Sequence, residues 1–178
     1  MYDYELWEVF KPIVDTGLSN AGVNGVLVRS YQPTSQGAAS PISVAMSSIS
    51  SKRYGFRKAQ DVWNPVNDNF DHIEQQQMET TFQMNCWSLE SPNDLTQLTA
   101  QDILYIISST LQSVATINTL APLDMGILRI TDIRNPYFEN DQSDFQSSPS
   151  FDFTVTHKHT TITSTPKVEF VDLLTNPV

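Results

Sequence analysis

His72-Ile73-Glu74-Gln75-Gln76-Gln77-Met78-Glu79-Thr80-Thr81-Phe82-Gln83-Met84-Asn85-Cys86-Trp87 reads as one strand with two unlike halves. In the second half, Met78, Thr80, Phe82, Met84 and Cys86 alternate with Glu79, Thr81, Gln83 and Asn85. That period of two belongs to an antiparallel strand covered on one face only. In the first half, Glu74 to Gln77 offers no apolar face at all. The strand is therefore expected to run out past the core that it helps to build.

A later segment, Phe151 to Thr165, has the same division. Phe151, Phe153 and Val155 define an apolar face, which His157, His159 and Thr161 continue with polar groups. Its threonines favour extended backbone. Around these two strands the remaining elements fall into place. Leu6, Val9, Phe10, Ile13 and Val14 trace a helical stripe over Tyr4 to Leu18, with Asp3 as the expected N-cap and Pro12 as an expected kink or break. Val26 to Tyr31 and Ile42 to Ser50 read as strands, and so does Gly126 to Asn135. Ser91-Pro92 is one helix start and Thr99, with Asp102 three residues on, is another. Ala100, Ile103, Leu104, Ile107, Leu111, Val114 and Ala115 then make the cleanest helical stripe, ending before Ala121-Pro122. Val168 to Leu174 adds a short strand or an arm.

The expected fold is α+β: a small, mostly antiparallel sheet with two main helices packed on one face, and long strands and loop arms extending from the core. The chain reads as a single domain over residues 1–178, with extended loops at about 32–41, 51–71 and 136–150. At 178 residues it can bury a real core, and its 39% apolar content suits a folded protein with much polar surface. Twenty acidic residues against ten basic ones give a net charge of -10, which repels nucleic acid and anionic membrane. No apolar run approaches the roughly 20 residues that cross a bilayer. The start Met1-Tyr2-Asp3-Tyr4-Glu5 lacks the basic residues of a signal peptide, so synthesis in the cytoplasm is expected.

Chemistry is hard to find. Cys86 is the only cysteine and lies on the apolar face of its strand, where a thiol packs inertly. His157 and His159 point the same way and offer two ligands to a metal ion, but His72 is distant in sequence as a third. A metal-dependent hydrolase using His157 and His159 is thus the enzymatic alternative to a non-enzyme. No phosphate-cradling glycine motif, nucleophile elbow or EF-hand spacing occurs, and the carboxylates from Glu139 to Asp144 read as a solvated loop. No metal and no cofactor is expected. The segment Lys52-Arg53-Tyr54-Gly55-Phe56-Arg57-Lys58 holds four of the ten basic residues. It suits an acidic partner, including another copy of this acidic chain, a nucleic acid contacted through Arg53, Arg57 and Lys58, or a solvated loop with no partner.

Several stretches together carry a family likeness. They are Val23-Asn24-Gly25-Val26-Leu27-Val28-Arg29-Ser30-Tyr31-Gln32, the strand Met78 to Ser88, and Leu98-Thr99-Ala100-Gln101-Asp102-Ile103-Leu104. Met125-Gly126-Ile127-Leu128-Arg129-Ile130, Asp132-Ile133-Arg134-Asn135-Pro136-Tyr137-Phe138 and the ending from Pro149 to Thr156 complete it. This layout resembles the neck or tail terminator (tail completion) proteins of tailed bacteriophages over nearly the whole chain. The resemblance implies a virion structural protein that forms a ring, typically a hexamer. That ring ends the tail tube, meets tube, sheath and the head-side connector or collar, and lets DNA pass through its lumen without specific binding. Another tail or collar component is the alternative. The places where subunits or partners are expected to meet are Lys52, Arg53, Phe56, Arg57, Lys58, Gln75, Gln77, His157 and His159.

Overall fold

A computed structural model describes residues 1–29, 42–88, 96–139 and 145–166. In chain order these form α1 (Asp3–Asn20), β1 (Val26–Arg29), β2 (Ile42–Asn64), β3 (Asn69–Ser88), α2 (Ala100–Leu111), α3 (Val114–Leu120), a 3-10 turn (Ala121–Leu123), β4 (Gly126–Ile130), β5 (Tyr137–Glu139), β6 (Phe145–Ser147) and β7 (Ser150–Pro166). The main sheet has the order β1-β2-β3-β7-β4. Only β1 and β2 run parallel, and the other neighbours are antiparallel. The α+β class and the mostly antiparallel sheet agree with the sequence.

The core lies between the sheet and the helices. Leu6, Phe10, Val14 and Leu18 recur every fourth residue of α1 and are all buried. Phe10 meets Phe153 with ring centroids 5.3 Å apart, and Phe82 stacks on Phe153 at 5.4 Å. Two details at α1 depart from the sequence reading. Asp3 is the first helical residue, not the cap: the Tyr2 amide donates to the Glu5 carboxylate at 2.5 Å and closes the helix start one residue earlier. Pro12 neither ends nor splits the helix. It sits on the exposed side, while Phe10 and Val14 hold the turns on either side of it in the core.

The start at Thr99 holds as read, since Asp102 N–H donates to Thr99 Oγ1 and Thr99 N–H to Asp102 Oδ2. The stripe does not continue as one helix. The chain bends by 55° after Leu111, and Ser113 caps a second helix by accepting from Thr116 N–H. Thr116 Oγ1 then donates to Thr110 O at 2.7 Å and closes the corner. Val114 and Ala115 therefore face solvent, and Thr116 and Leu120 are buried instead. The α1 and α2 axes approach closely at Gly17, where an added Cβ would lie 2.4 Å from Thr110 Oγ1. The helix start at Ser91, the loop at 32–41 and the tail from Val168 lie outside the described residues.

The largest correction concerns 51–71, which the sequence presents as an irregular loop. The chain is strand from Ile42 to Asn64, turns, and returns as β3 from Asn69. No apolar alternation announces this, because no helix among the described residues lies over that part of the sheet, and β2 is exposed there. Pairing with β3 alone makes it a strand. The expected loop at 136–150 likewise contains the small antiparallel pair β5–β6. The strand expected over Gly126 to Asn135 ends at Ile130, and Arg134 rejoins by a bridge to Ser150.

His157 marks where the core stops. It is only 3% exposed, so it is an interior residue and not the surface group that the sequence suggests. Its Nε2 lies 3.0 Å from Thr80 Oγ1, which in turn lies 2.9 Å from Ser51 Oγ. Its Nδ1 has no hydrogen-bond partner among the described residues. Burial, and then the nearby Met1 ammonium, push the pKa of His157 below its ordinary value of 6.5.

Two outcomes follow from this packing. Phe82→Ala removes a fully buried ring from the aromatic cluster and should cost about 3–5 kcal/mol in a denaturant titration. His157 binds its proton less readily folded than unfolded, so its contribution to stability is complete above pH ~6.5 and lost as the pH falls through its lowered folded pKa. A denaturation midpoint that falls over that acid range, and falls less in His157→Gln, is the expected result.

Candidate assembly surface

Beyond the core, β2, β3 and β7 continue together as a three-stranded arm. The register of β3 with β7 is unbroken from Asn85↔Ser150 to Asn69↔Pro166. At about 3.3 Å per residue, the run from Ser48 to Asn64 reaches on the order of 50 Å. β1 pairs with β2 only over Ser43 to Met46, and β4 pairs with β7 only over Phe153 to Thr156. Past those residues the outer edges of β2 and β7 have no strand partner among the described residues. The arm thus carries two open edges, which a neighbouring chain can meet.

Its distal end is built, not ragged. Asn64 Oδ1 accepts from Val66 N–H at 3.1 Å and Asn67 N–H at 3.3 Å, and Asn64 Nδ2 donates to Asp71 at 2.8 Å. Asp68 takes the left-handed conformation, φ 51°. Trp63 and Phe70 face each other across the strands, edge to face at 5.0 Å. Val66 stands exposed at the turn.

Midway along β2 the register jumps from Tyr54↔Gln77 to Lys58↔Gln75, leaving Gly55, Phe56 and Arg57 as a bulge opposite Gln76. Gly55 has φ +69°, which a Cβ would oppose. The largely buried Gln76 side chain donates from Nε2 to Tyr54 O at 2.7 Å and to Gly55 O at 3.3 Å. Arg57 is tied to Glu74 at 2.8 Å. Farther out, Asp61 lies 2.6 Å from His72, and that hydrogen bond, above all, raises the His72 pKa. Phe56, by contrast, is fully exposed.

The residues expected at interfaces all lie on the arm, but on different sides of it. Row by row, Arg53 shares the helix-side face with Met78 and His157, and His159 follows opposite Gln76. Lys52 pairs with Glu79, Tyr54 with Gln77 and Lys58 with Gln75 on the other face. Phe56 and Arg57 occupy the bulge. Of the nine, His157 has no surface to offer. His159 leans on Tyr2, edge to face at 5.3 Å, with its Nδ1 3.4 Å from the Met1 ammonium. That cation and the engaged His157 make poor company for a metal ion. No group of three or more metal-ligating side chains occurs among the described residues. Gln76 and the Trp63–Phe70 end were not singled out by sequence. Asn64-Pro65, a turn signal between two aromatics, was the available clue to the latter.

Comparison with known proteins adds three findings. The sheath/tube terminator of an extracellular contractile injection system (PVC), solved by cryo-EM in the extended state, is similar in structure, with 11% sequence identity and a TM-score of 0.49. The similarity covers 100% of this chain and 64% of that one, so the chain spans less than two thirds of its length. No curated protein matches the sequence. The family described as E217 gateway protein gp29 matches residues 5–167, a span that includes the whole arm. The chain belongs to the E217 gateway protein gp29 family, in line with the phage tail-terminator resemblance of its sequence.

Proposed function

We propose that this chain is a ring-forming subunit at the neck of a tailed phage, closing the tail tube and joining it to the head-side connector. A structural role at the tail end, and with it a place in the virion, follows from the family. The ring, its hexameric order and the connector as partner are the finer reading. The observation that carries them is the arm: three strands that leave the core together, with edges that no described residue of the same chain completes. Such an arm contributes little to its own fold and has the reach to lie along a neighbour. Two different surfaces meeting head to tail close into a ring when the rotation between copies divides the circle.

The acidic surface fits the same reading. A chain of net charge -10 around a lumen repels phosphate, so DNA passes without being held. The single unit over the whole chain, with tube, sheath and collar components as neighbours, belongs to this proposal as well. The family is a structural one, and the geometry at His157 and His159 gives a hydrolase no support.

Mass measurement of the purified chain, alone and after incubation with isolated tail tubes, tests the proposal. One closed species of six copies is the expected outcome, free or on the tube end. Replacing the arm beyond Met78 and His157 with short turns should leave a folded core that stays monomeric in both settings. A full-length chain that is monomeric alone and absent from tubes and connectors alike would overturn the proposal.

A further inference from the structure

The bulge at Gly55 to Arg57 is where the arm departs most from what its own chain needs. A bulge re-aims a side chain, and this one aims a phenylalanine into open solvent. Three separate features hold it there. Gly55 supplies the left-handed turn, Gln76 ties down the carbonyls of Tyr54 and Gly55, and Arg57 is fixed by Glu74. A backbone fixed in this way has already lost conformational freedom that binding would otherwise take away. Aromatic anchors presented in this way carry much of the binding energy in protein interfaces.

The charges around it name the partner's chemistry. From Ser48 to Asn64, β2 holds Lys52, Arg53, Arg57 and Lys58 against Asp61 alone. Off the arm, the chain has five basic residues against fifteen acidic ones. Lys52, Arg53 and Lys58 make no ion pair with any described residue. The body of a second copy is thus the oppositely charged surface. Cations and bulges along an edge also discourage strand addition, so this edge acts through its side chains.

We infer that Phe56 is the anchor by which one copy of this chain docks on the acidic body of the next, flanked by Lys52, Arg53 and Lys58, with Gln76 as its positioning residue. This rests on the assembly reading above and places one of its contacts. Docking of this kind is heterologous, arm to body, and is weakened by salt.

Sedimentation of the full-length chain at low and high salt, with tail tubes added where free rings do not form, tests it. Phe56→Ala should weaken self-association at least tenfold. Lys52→Glu with Arg53→Glu should weaken it too and flatten its salt dependence. Gln76→Ala should act in the same direction as Phe56→Ala, yet add nothing in the Phe56→Ala background. A merely structural role for Gln76 would add its effect in full and overturn the positioning assignment. An intact assembly in which the Phe56 and charge variants change nothing overturns the docking but leaves the assembly reading standing. A chain that never associates, alone or on tubes, overturns both. Variants that keep self-association but lose retention of duplex DNA would make the partner a nucleic acid and overturn the inference.

Discussion

Everything outside the core hangs from β3. It pairs with β2 on one side and with β7 on the other along nearly its entire length, so its backbone groups are satisfied far beyond the last buried phenylalanine. Without that double pairing the outer half of β2 would have no reason to be extended. Its side chains bury little and its sequence is poor in β-branched residues. Hydrogen bonds across three strands, not apolar burial, hold the arm in shape.

That explains what could be read from the residues and what could not. Apolar period and helix caps are written locally, so Phe82, Phe153 and the Thr99–Asp102 start were legible. The break at Ser113 was not, since a serine that caps a new helix looks on a stripe like a polar residue inside an old one. The outer half of β2 escaped for a different reason. Periodicity reports a covered face, and a segment covered on neither face carries none. The overlong halves of β3 and β7 were visible only because each begins in the core and then loses its apolar side. Pairing partners were beyond reach of a single sequence, so β2 could not be matched to them.

The interface residues divide along similar lines. Clustered charge around an aromatic drew attention to Lys52 through Lys58, and that segment does lie outside the core, with Phe56 fully exposed. His157 was misplaced. A polar residue after Val155 looks like the end of the buried face, but Thr80 across the strand supplies a hydroxyl that lets the imidazole stay inside. Gln76 was hidden within a run of three glutamines, and only the register shift opposite it separates its task from that of its neighbours.

The β7 edge differs in kind from the β2 edge. From Thr160 to Thr165 it carries no charge, and its register with β3 has no bulge. Threonine keeps the backbone extended but offers a visiting strand little hydrocarbon to rest on. Anything that adds there is held by main-chain hydrogen bonds alone, which water replaces at small net cost. The arm therefore has two unlike margins: one charged and broken by a bulge, which resists strand addition, and one uncharged and regular, whose main-chain groups stand open to it.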